Sequence, residues 1–362
     1  MTIKPFGIWP LLAIILLSGG LVNHVLIAPF LLEVAHRDAW ISVILAMLII
    51  LPWTLLPLYG LLNELDGVRI DHWLKQRMHP FFAYLLIIGF LVYLLFMGTE
   101  TLTVTSSWTS TTYLPRTPIS IVIAAFLSIC LYAVMLGLRT IAYISCILVP
   151  GVVILGDFVM STNLPHKDYR YLLPVLEHGY APVWQACLVT ISAFSELFIL
   201  LFVQHHMRGR LRRKHLVLLV FMLALLTIGP LTGAISQFGP EEAGKMRYPA
   251  FSQWRLVTIG RYFEHVDFFA IFQWLSGALV RVSLLLYVVL EYSPVRRMKR
   301  PWAGAIIAGT VLGLSAYYWA GNMIPYKQWM KEMFLYIGPV VIVLTIVLSG
   351  IGMINKGKEG TA

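Results

Sequence analysis

The sequence predicts an all-α integral membrane protein of ten transmembrane helices, and three observations carry that prediction. Hydrophobic residues make up 59% of the 362-residue chain and charged residues only 12%, against about a quarter charged in soluble domains. The apolar residues gather into stretches of about 20, the length at which a helix crosses the roughly 30 Å hydrocarbon layer with every backbone group satisfied internally. The stretches do not alternate in polarity, which excludes barrel strands.

Windows of about 19 residues place spans near Ile8 to Leu32, Ala39 to Leu62, Pro80 to Trp108, Pro118 to Leu136 and Thr140 to Met160. The remaining five lie near Pro182 to His205, Leu216 to Ile235, Asp267 to Leu290, Trp302 to Ala320 and Met333 to Ile354. Lys4 and the small residues Ser18, Gly19 and Gly20 give the first span the look of a signal peptide. Its apolar character resumes through Leu32, too long for such a segment, so it is read as retained. With no linker or low-complexity segment, residues 1–362 form a single transmembrane domain, with one repeat at about 8–160 and a second at about 182–354.

Lys and Arg collect in two short loops, Arg208, Arg210, Arg212, Arg213 and Lys214 in one and Arg296, Arg297, Lys299 and Arg300 in the other. Both loops are therefore expected on the cytoplasmic side. Ten spans then place both termini there, with Lys4 at one end and Lys356 and Lys358 at the other. The net charge of +10 reads as topology and attraction to anionic lipid, with no nucleic acid as partner. Cys130, Cys146 and Cys187 have no paired spacing and read as packing residues. Outside the spans, Thr162 to Ala181 is rich in Pro, His and Tyr, and Phe238 to Val266 mixes charges with aromatic residues. Short amphipathic helices across an outer vestibule are expected in the second.

Inside the spans, polar interruptions mark the places to look for function. Span one carries Ser18, Gly19 and Gly20 near its middle, then Asn23 and His24; paired glycines weaken a helix, and open backbone in a membrane is tolerated beside protein or a wet cavity. Span six carries Thr190, Ser192, Ser195 and Glu196 without a proline. Helices 1 and 6 are thus candidate broken helices, five spans apart, the spacing of a five-plus-five inverted repeat that binds solute between its two breaks. Free N–H groups at one half-helix and free C=O groups at the other suit a zwitterion such as an amino acid. Close packing through small residues is the other reading of the same glycines.

A charge in hydrocarbon costs a few kcal/mol at least, and Glu100, Glu196 and Arg281 lie inside spans. At about 1.5 Å per residue, Glu196 and Arg281 both fall roughly 21 Å from the outer ends of their spans. By the same count His24 and Glu100 fall roughly 12 Å in. This predicts a Glu196–Arg281 pair at the solute site and a His24–Glu100 pair on an outer polar path. Tyr93, Met97 and Glu100 share one face of span three, either lining the cavity or packing on neighbours. Asp157 and Asp267, near span ends, read as interfacial. The adjacent His205 and His206 point about 100° apart in a helix, with no further ligand beside them in sequence, so they read as a juxtamembrane surface. No metal or cofactor is expected, and the absence of HExxH, GxSxG and GxxxxGK[ST] gives an enzyme little support.

The run Asp38, Ala39, Trp40, Ile41, Ser42, the segment Leu172, Leu173, Pro174, Val175, and Tyr248, Pro249, Phe263, Glu264 and Trp274 resemble the spore germination permease family, the B subunits of germinant receptors. The resemblance covers nearly the whole chain. It implies a LeuT-type fold within the amino acid, polyamine and organocation transporter superfamily. It also implies a receptor that binds a small-molecule germinant in the spore inner membrane and signals with an A subunit and a lipoprotein C subunit. The ligand cavity it implies involves Ser18 to Gly20, span six from Ser192 through Phe194 to Glu196, Tyr93 and Met97, and span eight. A proton-coupled amino acid transporter in a bacterial cell membrane, with Glu196 or Glu100 carrying the proton, is the alternative. An intramembrane enzyme using His24 and Glu100 as base and acid is a third.

Overall fold

The computed structural model describes residues 5–258, 266–297 and 301–359. Among them the chain is helical throughout, with one isolated two-residue bridge, Phe6 to Met207, as its extended pairing. The helices in chain order are α1 (Ile8–Leu21), α2 (Ala28–Ala35), α3 (Ala39–Trp53), α4 (Tyr59–Leu65), α5 (Ile70–Arg77), α6 (Pro80–Thr112), α7 (Ile119–Leu136) and α8 (Leu138–Thr162). They continue as α9 (Tyr180–Ser195), α10 (Leu200–Val203), α11 (Arg213–Phe238), α12 (Pro240–Lys245), α13 (Pro249–Trp254), α14 (Phe269–Tyr292), α15 (Pro301–Ala320) and α16 (Met323–Glu359). Expectations resting on Lys4, Ile259, Tyr262, Phe263, Glu264, Lys299 and Arg300 lie outside the described residues.

Nine segments among the described residues are long and apolar enough to cross a membrane, which makes this a multi-pass membrane protein. The first, Ile8–Leu65, is 58 residues long, roughly 87 Å as a helix at 1.5 Å per residue and nearly three times the roughly 30 Å of hydrocarbon a single crossing spans. Within it His36 takes φ 46° and ψ −120°, a left-handed conformation that ends α2. Where ten separate spans were expected, the helical stretch from α1 to α4 therefore contains the first two without an intervening loop.

Neither of the expected breaks opens the chain. Helix α1 runs through Ser18, Gly19 and Gly20 without interruption, and the irregularity comes one turn later, where Val22–Leu26 widens to a π-helix and the Ile27 N–H reaches Val22 O at 3.0 Å. The glycines serve close packing: a Cβ on Gly19 or Gly20 would lie 3.2 Å from Leu223 or 3.1 Å from Leu226 of α11. Span six tightens instead of unwinding, passing from α9 into a 3-10 turn at Glu196–Ile199, then α10, then a second 3-10 turn at Gln204–His206. Single-turn π and 3-10 departures of this kind shift backbone groups without exposing a full set of free ends.

The centre of the bundle is span six. Its apolar window is 94% buried, against 11% for α8, so α9 is surrounded by protein while α8 faces outward. Helix α9 packs on α16, α3 and α2, and α1 packs on α14, α8 and α11. The α9–α16 contact is unusually close, because a Cβ on Gly338 would lie 2.6 Å from the Ser192 Cα. Outside the spans, α12 and α13 are the short helices expected between Phe238 and Val266, and they pack on α11 and α2. Phe251 of α13 meets Trp108 edge-on at 5.4 Å, and Trp108 stacks on Trp274 at 4.1 Å. Two of the segments that carry the family resemblance also meet: Asp38 Oδ1 accepts the Leu176 N–H at 2.9 Å, while Arg37 pairs with Glu177 at 2.8 Å and donates to the Leu173 carbonyl.

Candidate functional site

Arg281 organises the interior. It sits in the middle of α14, where the helix packs against α1 and α6, and it is 0% exposed. Since a guanidinium keeps its charge and has five N–H donors, burial demands acceptors on several sides. Nη1 and Nη2 donate to Glu196 Oε2 and Oε1 at 2.5 and 2.8 Å, a bidentate pair of the strong, geometrically specific kind. Nε donates to Thr101 Oγ1 at 2.8 Å, and Nη1 also reaches the Ser18 carbonyl at 3.4 Å. Thr101 in turn donates to Met97 O at 2.9 Å, so its lone pairs face the guanidinium. Glu100 Oε2 lies 3.9 Å from Nη2. One side chain thus joins α1, α6, the 3-10 turn after α9, and its own helix.

The Glu196–Arg281 pair expected from depth is therefore present. The His24–Glu100 pair is not. His24 lies in the π-helical turn, where its Nδ1 is 3.2 Å from the Leu226 carbonyl, while Glu100 turns toward Arg281. The depth count failed for Glu100 because α6 runs on to Thr112, past the expected end at Trp108, which puts Glu100 roughly 18 Å from the helix end at 1.5 Å per residue, close to the depth of Arg281; the count also contained nothing about azimuth. His24 faces α11, and Glu100 faces α14.

Beside the pair is a cavity of about 10 Å³ lined by Ile15, Ser18, Gly19, Met97, Glu196 and Leu223, among others. That volume holds about one water, so an amino acid does not fit in this conformation. Ser18, Gly19, Met97 and Glu196 converge there. Gly20 packs on Leu226, and Asn23 is used within the π-turn, donating to Gly19 O at 2.7 Å and accepting from Thr227 at 3.3 Å. Ser192 donates to Phe334 O and accepts the Gly338 N–H at 2.9 Å, which ties α9 to α16. Phe194 is fully buried in the apolar core, and Tyr93 stacks on Phe198 at 5.6 Å. A larger cavity of about 210 Å³, between Phe96, Thr99, Leu312, Trp319 and Trp329, is separate from the buried charges.

Sequence reasoning missed Thr101 and the Ser18 carbonyl as partners of Arg281. A signal existed for Thr101, since Thr99, Thr101, Thr103 and Thr105 form a hydroxyl-rich run beside Glu100. The expectation that His205 and His206 form a surface is also corrected. Both rings are largely buried, and their Nε2 atoms lie 3.3 and 2.8 Å from the two carboxylate oxygens of Glu291 at the end of α14. The tight 3-10 turn and a carboxylate 85 residues away in sequence bring together what helical spacing alone separates.

A spore permease family model, described as spore germination protein, matches residues 3–323. Spore germination protein XB of Bacillus anthracis is 40% identical over 286 residues, covering 78% of this chain and 79% of that protein. The putative spore germination protein YfkT of Bacillus subtilis is 26% identical over 265 residues, 72% of each chain. Spore germination protein KB of Bacillus subtilis is 24% identical over 283 residues, 74% of each. With the family match running across most of the helical bundle and through every residue of the buried charge site, the chain belongs to the spore germination permease family.

Proposed function

We propose that the protein is the nutrient-sensing B subunit of a spore germinant receptor, binding a small solute such as an amino acid beside Arg281 and signalling germination with an A subunit and a lipoprotein C subunit. The observation that carries this reading is the single guanidinium joining three spans to its own, with room for only about 10 Å³ beside it. A solute that enters has to exchange with those contacts. Its carboxylate can take the place of Glu196 on Arg281, or its ammonium the place of Arg281 between Glu196 and Glu100. Either exchange loosens the tie among the spans, and the solute shifts the conformational balance by its differential affinity for the two states.

In this reading Ile8–Leu65 counts as two spans, giving ten arranged as a LeuT-type five-plus-five repeat, with both termini cytoplasmic in the spore inner membrane. The pitch changes at Val22–Leu26 in span one and Glu196–Ile199 in span six are what supports this reading. A second reading, a proton-coupled amino acid transporter, is favoured by one observation. Glu100 is held at 3.9 Å from Arg281 while Glu196 is engaged through both oxygens, which leaves Glu100 the freer acid to carry a proton.

Purified protein in proteoliposomes separates the two. A thermal-shift screen against amino acids, sugars and nucleosides should give a concentration-dependent rise for at least one solute, without accumulation of that solute in the vesicles. Accumulation driven by a proton gradient would move the assignment to transport.

A further inference from the structure

The larger cavity, of about 210 Å³, lies between α6, α15 and α16 and shares no residue with the Arg281 site. Its walls are aromatic. Trp319 at the end of α15 and Trp329 in the second turn of α16 stack at 5.1 Å with 13° between their planes, and Phe96 of α6 meets Trp329 edge-on at 4.5 Å. Val311 of α15 and Trp329 are both exposed and belong to membrane-crossing segments, so the mouth opens toward hydrocarbon.

Two hydroxyl side chains line this space, Thr99 of α6 and Ser315 of α15. On the same face of the chemistry, Thr101 and Thr103 are satisfied within their own helix, donating to Met97 O and Thr99 O at 2.9 and 2.7 Å. Thr99, only 7% exposed, and Ser315 differ: neither hydroxyl has a hydrogen-bond partner among the described residues. A hydroxyl held away from water without a partner is destabilising. A cavity bordered by two of them therefore favours a guest that can bond to both.

Size and charge narrow the guest further. An apolar cavity of about 150 Å³ binds benzene, so about 210 Å³ accommodates one ring system with a small substituent. No charged side chain is among the lining residues, and Glu100, next to Thr99 in sequence, turns toward Arg281. An ion entering from hydrocarbon would find no countercharge, which excludes a zwitterion. An acyl chain would leave both hydroxyls unpaired. A ring carrying one hydroxyl or N–H group bonds to Thr99 and Ser315 and also gains stacked or edge-on contacts from the three aromatic walls.

We propose that this cavity is a binding site for a small neutral aromatic molecule bearing one hydroxyl or N–H group, of phenol or indole size, which enters from the lipid. Its occupant braces α15 and α16 against α6, the helix that brings Thr101 and Glu100 to Arg281. The packing beside it is already tight: a Cβ on Gly98 would lie 2.9 Å from Leu312 and 3.9 Å from Leu285, one turn past Arg281 on α14. The site stands whether or not a solute binds at Arg281.

The test uses full-length protein in nanodiscs, titrated with bromophenol, whose heavy atom quenches tryptophan fluorescence on contact. The expected result is a saturable component of quenching, above the linear component from partitioning into lipid, that unbrominated phenol and indole reverse. Thr99→Val and Ser315→Ala should each weaken phenol, read by this competition, by about 2- to 12-fold, the value of one hydrogen bond. Toluene, which has the ring without the hydroxyl, should compete equally well in the variants and in the unaltered protein. Ser315→Phe, which fills the cavity, should abolish the saturable component. Quenching that is linear throughout overturns the proposal, as does a double variant, Thr99→Val with Ser315→Ala, in which phenol loses no more affinity than toluene. Saturable quenching by a phospholipid brominated on its acyl chain that phenol does not reverse assigns the cavity to lipid and also overturns it. If Ser315→Phe does not fold, the comparison of phenol with toluene in the double variant decides alone.

Discussion

Replacing Arg281 by Met, Glu196 by Gln, and both together tests whether the two act as a unit. Arg281→Met leaves a carboxylate buried without its bidentate partner, a change that costs about 3–5 kcal/mol. Glu196→Gln keeps an acceptor and a similar shape but removes one charge, and Glu100 at 3.9 Å offers partial compensation. Loss of a charged hydrogen bond of this kind costs about 1.5–3 kcal/mol. In the double variant the Glu196 charge is gone. Glu100, 3.9 Å from the guanidinium in the unaltered protein, lacks its cation just as in Arg281→Met, so its cost cancels from the comparison and only the penalty of the unpaired Glu196 is relieved. The double variant should therefore be more stable than the sum of the single losses predicts, by about 2–3 kcal/mol, near the upper end of coupling between neighbours. Unfolding in mixed micelles, followed by the fluorescence of the eleven tryptophans, gives the three free-energy differences. Additivity within about 0.5 kcal/mol would refute the reasoning. It would mean that the contacts to Thr101 and Ser18 hold Arg281 and that Glu196 is a bystander.

Glu100→Gln should cost less than Glu196→Gln in the same assay, because its carboxylate meets the guanidinium only at 3.9 Å; an equal or larger loss would reverse their roles. Gly338→Ala must push α16 from the Ser192 backbone and should destabilise by about 1–3 kcal/mol, whereas Gly89→Ala, whose Cβ meets nothing within 4 Å, should be neutral or slightly stabilising; equal effects would show that α9 and α16 are not so close. Gly19→Leu should abolish the solute-dependent thermal shift at normal membrane level, since its side chain enters the 10 Å³ cavity; an unchanged shift would move the solute elsewhere. Burial raises the Asp71 carboxyl, but the Arg69 hydrogen bond and charge outweigh it and hold the group below its ordinary value. That stabilisation is present above the ordinary aspartate range and is lost as pH falls through the lowered value. Asp71→Asn should therefore narrow the stability gap to the unaltered protein only at acid pH, and a gap that narrows near neutrality would count against it.

The amino-acid order by itself determined that this is a helical membrane protein and, within a few residues, where most of its apolar segments lie. Burial in hydrocarbon requires long uninterrupted apolar runs, and such runs are visible one residue at a time. It also located Arg281 and Glu196 at one depth, because rise per residue is a property of any helix. What only the tertiary structure decided was azimuth and pitch. Whether Glu100 turns toward His24 or Arg281 depends on how α6 is rotated against α1 and α14, and that rotation is set by side-chain packing around the whole bundle. Gly19 and Gly20 were expected to mark a break, with a packing seam as the other reading; Leu223 and Leu226 of α11, some 200 residues later in sequence, make them a seam. Likewise the 3-10 turn that folds His205 and His206 onto Glu291 follows from how span six ends against α14. Local sequence fixes what a helix contains, and its neighbours fix which way each charge faces.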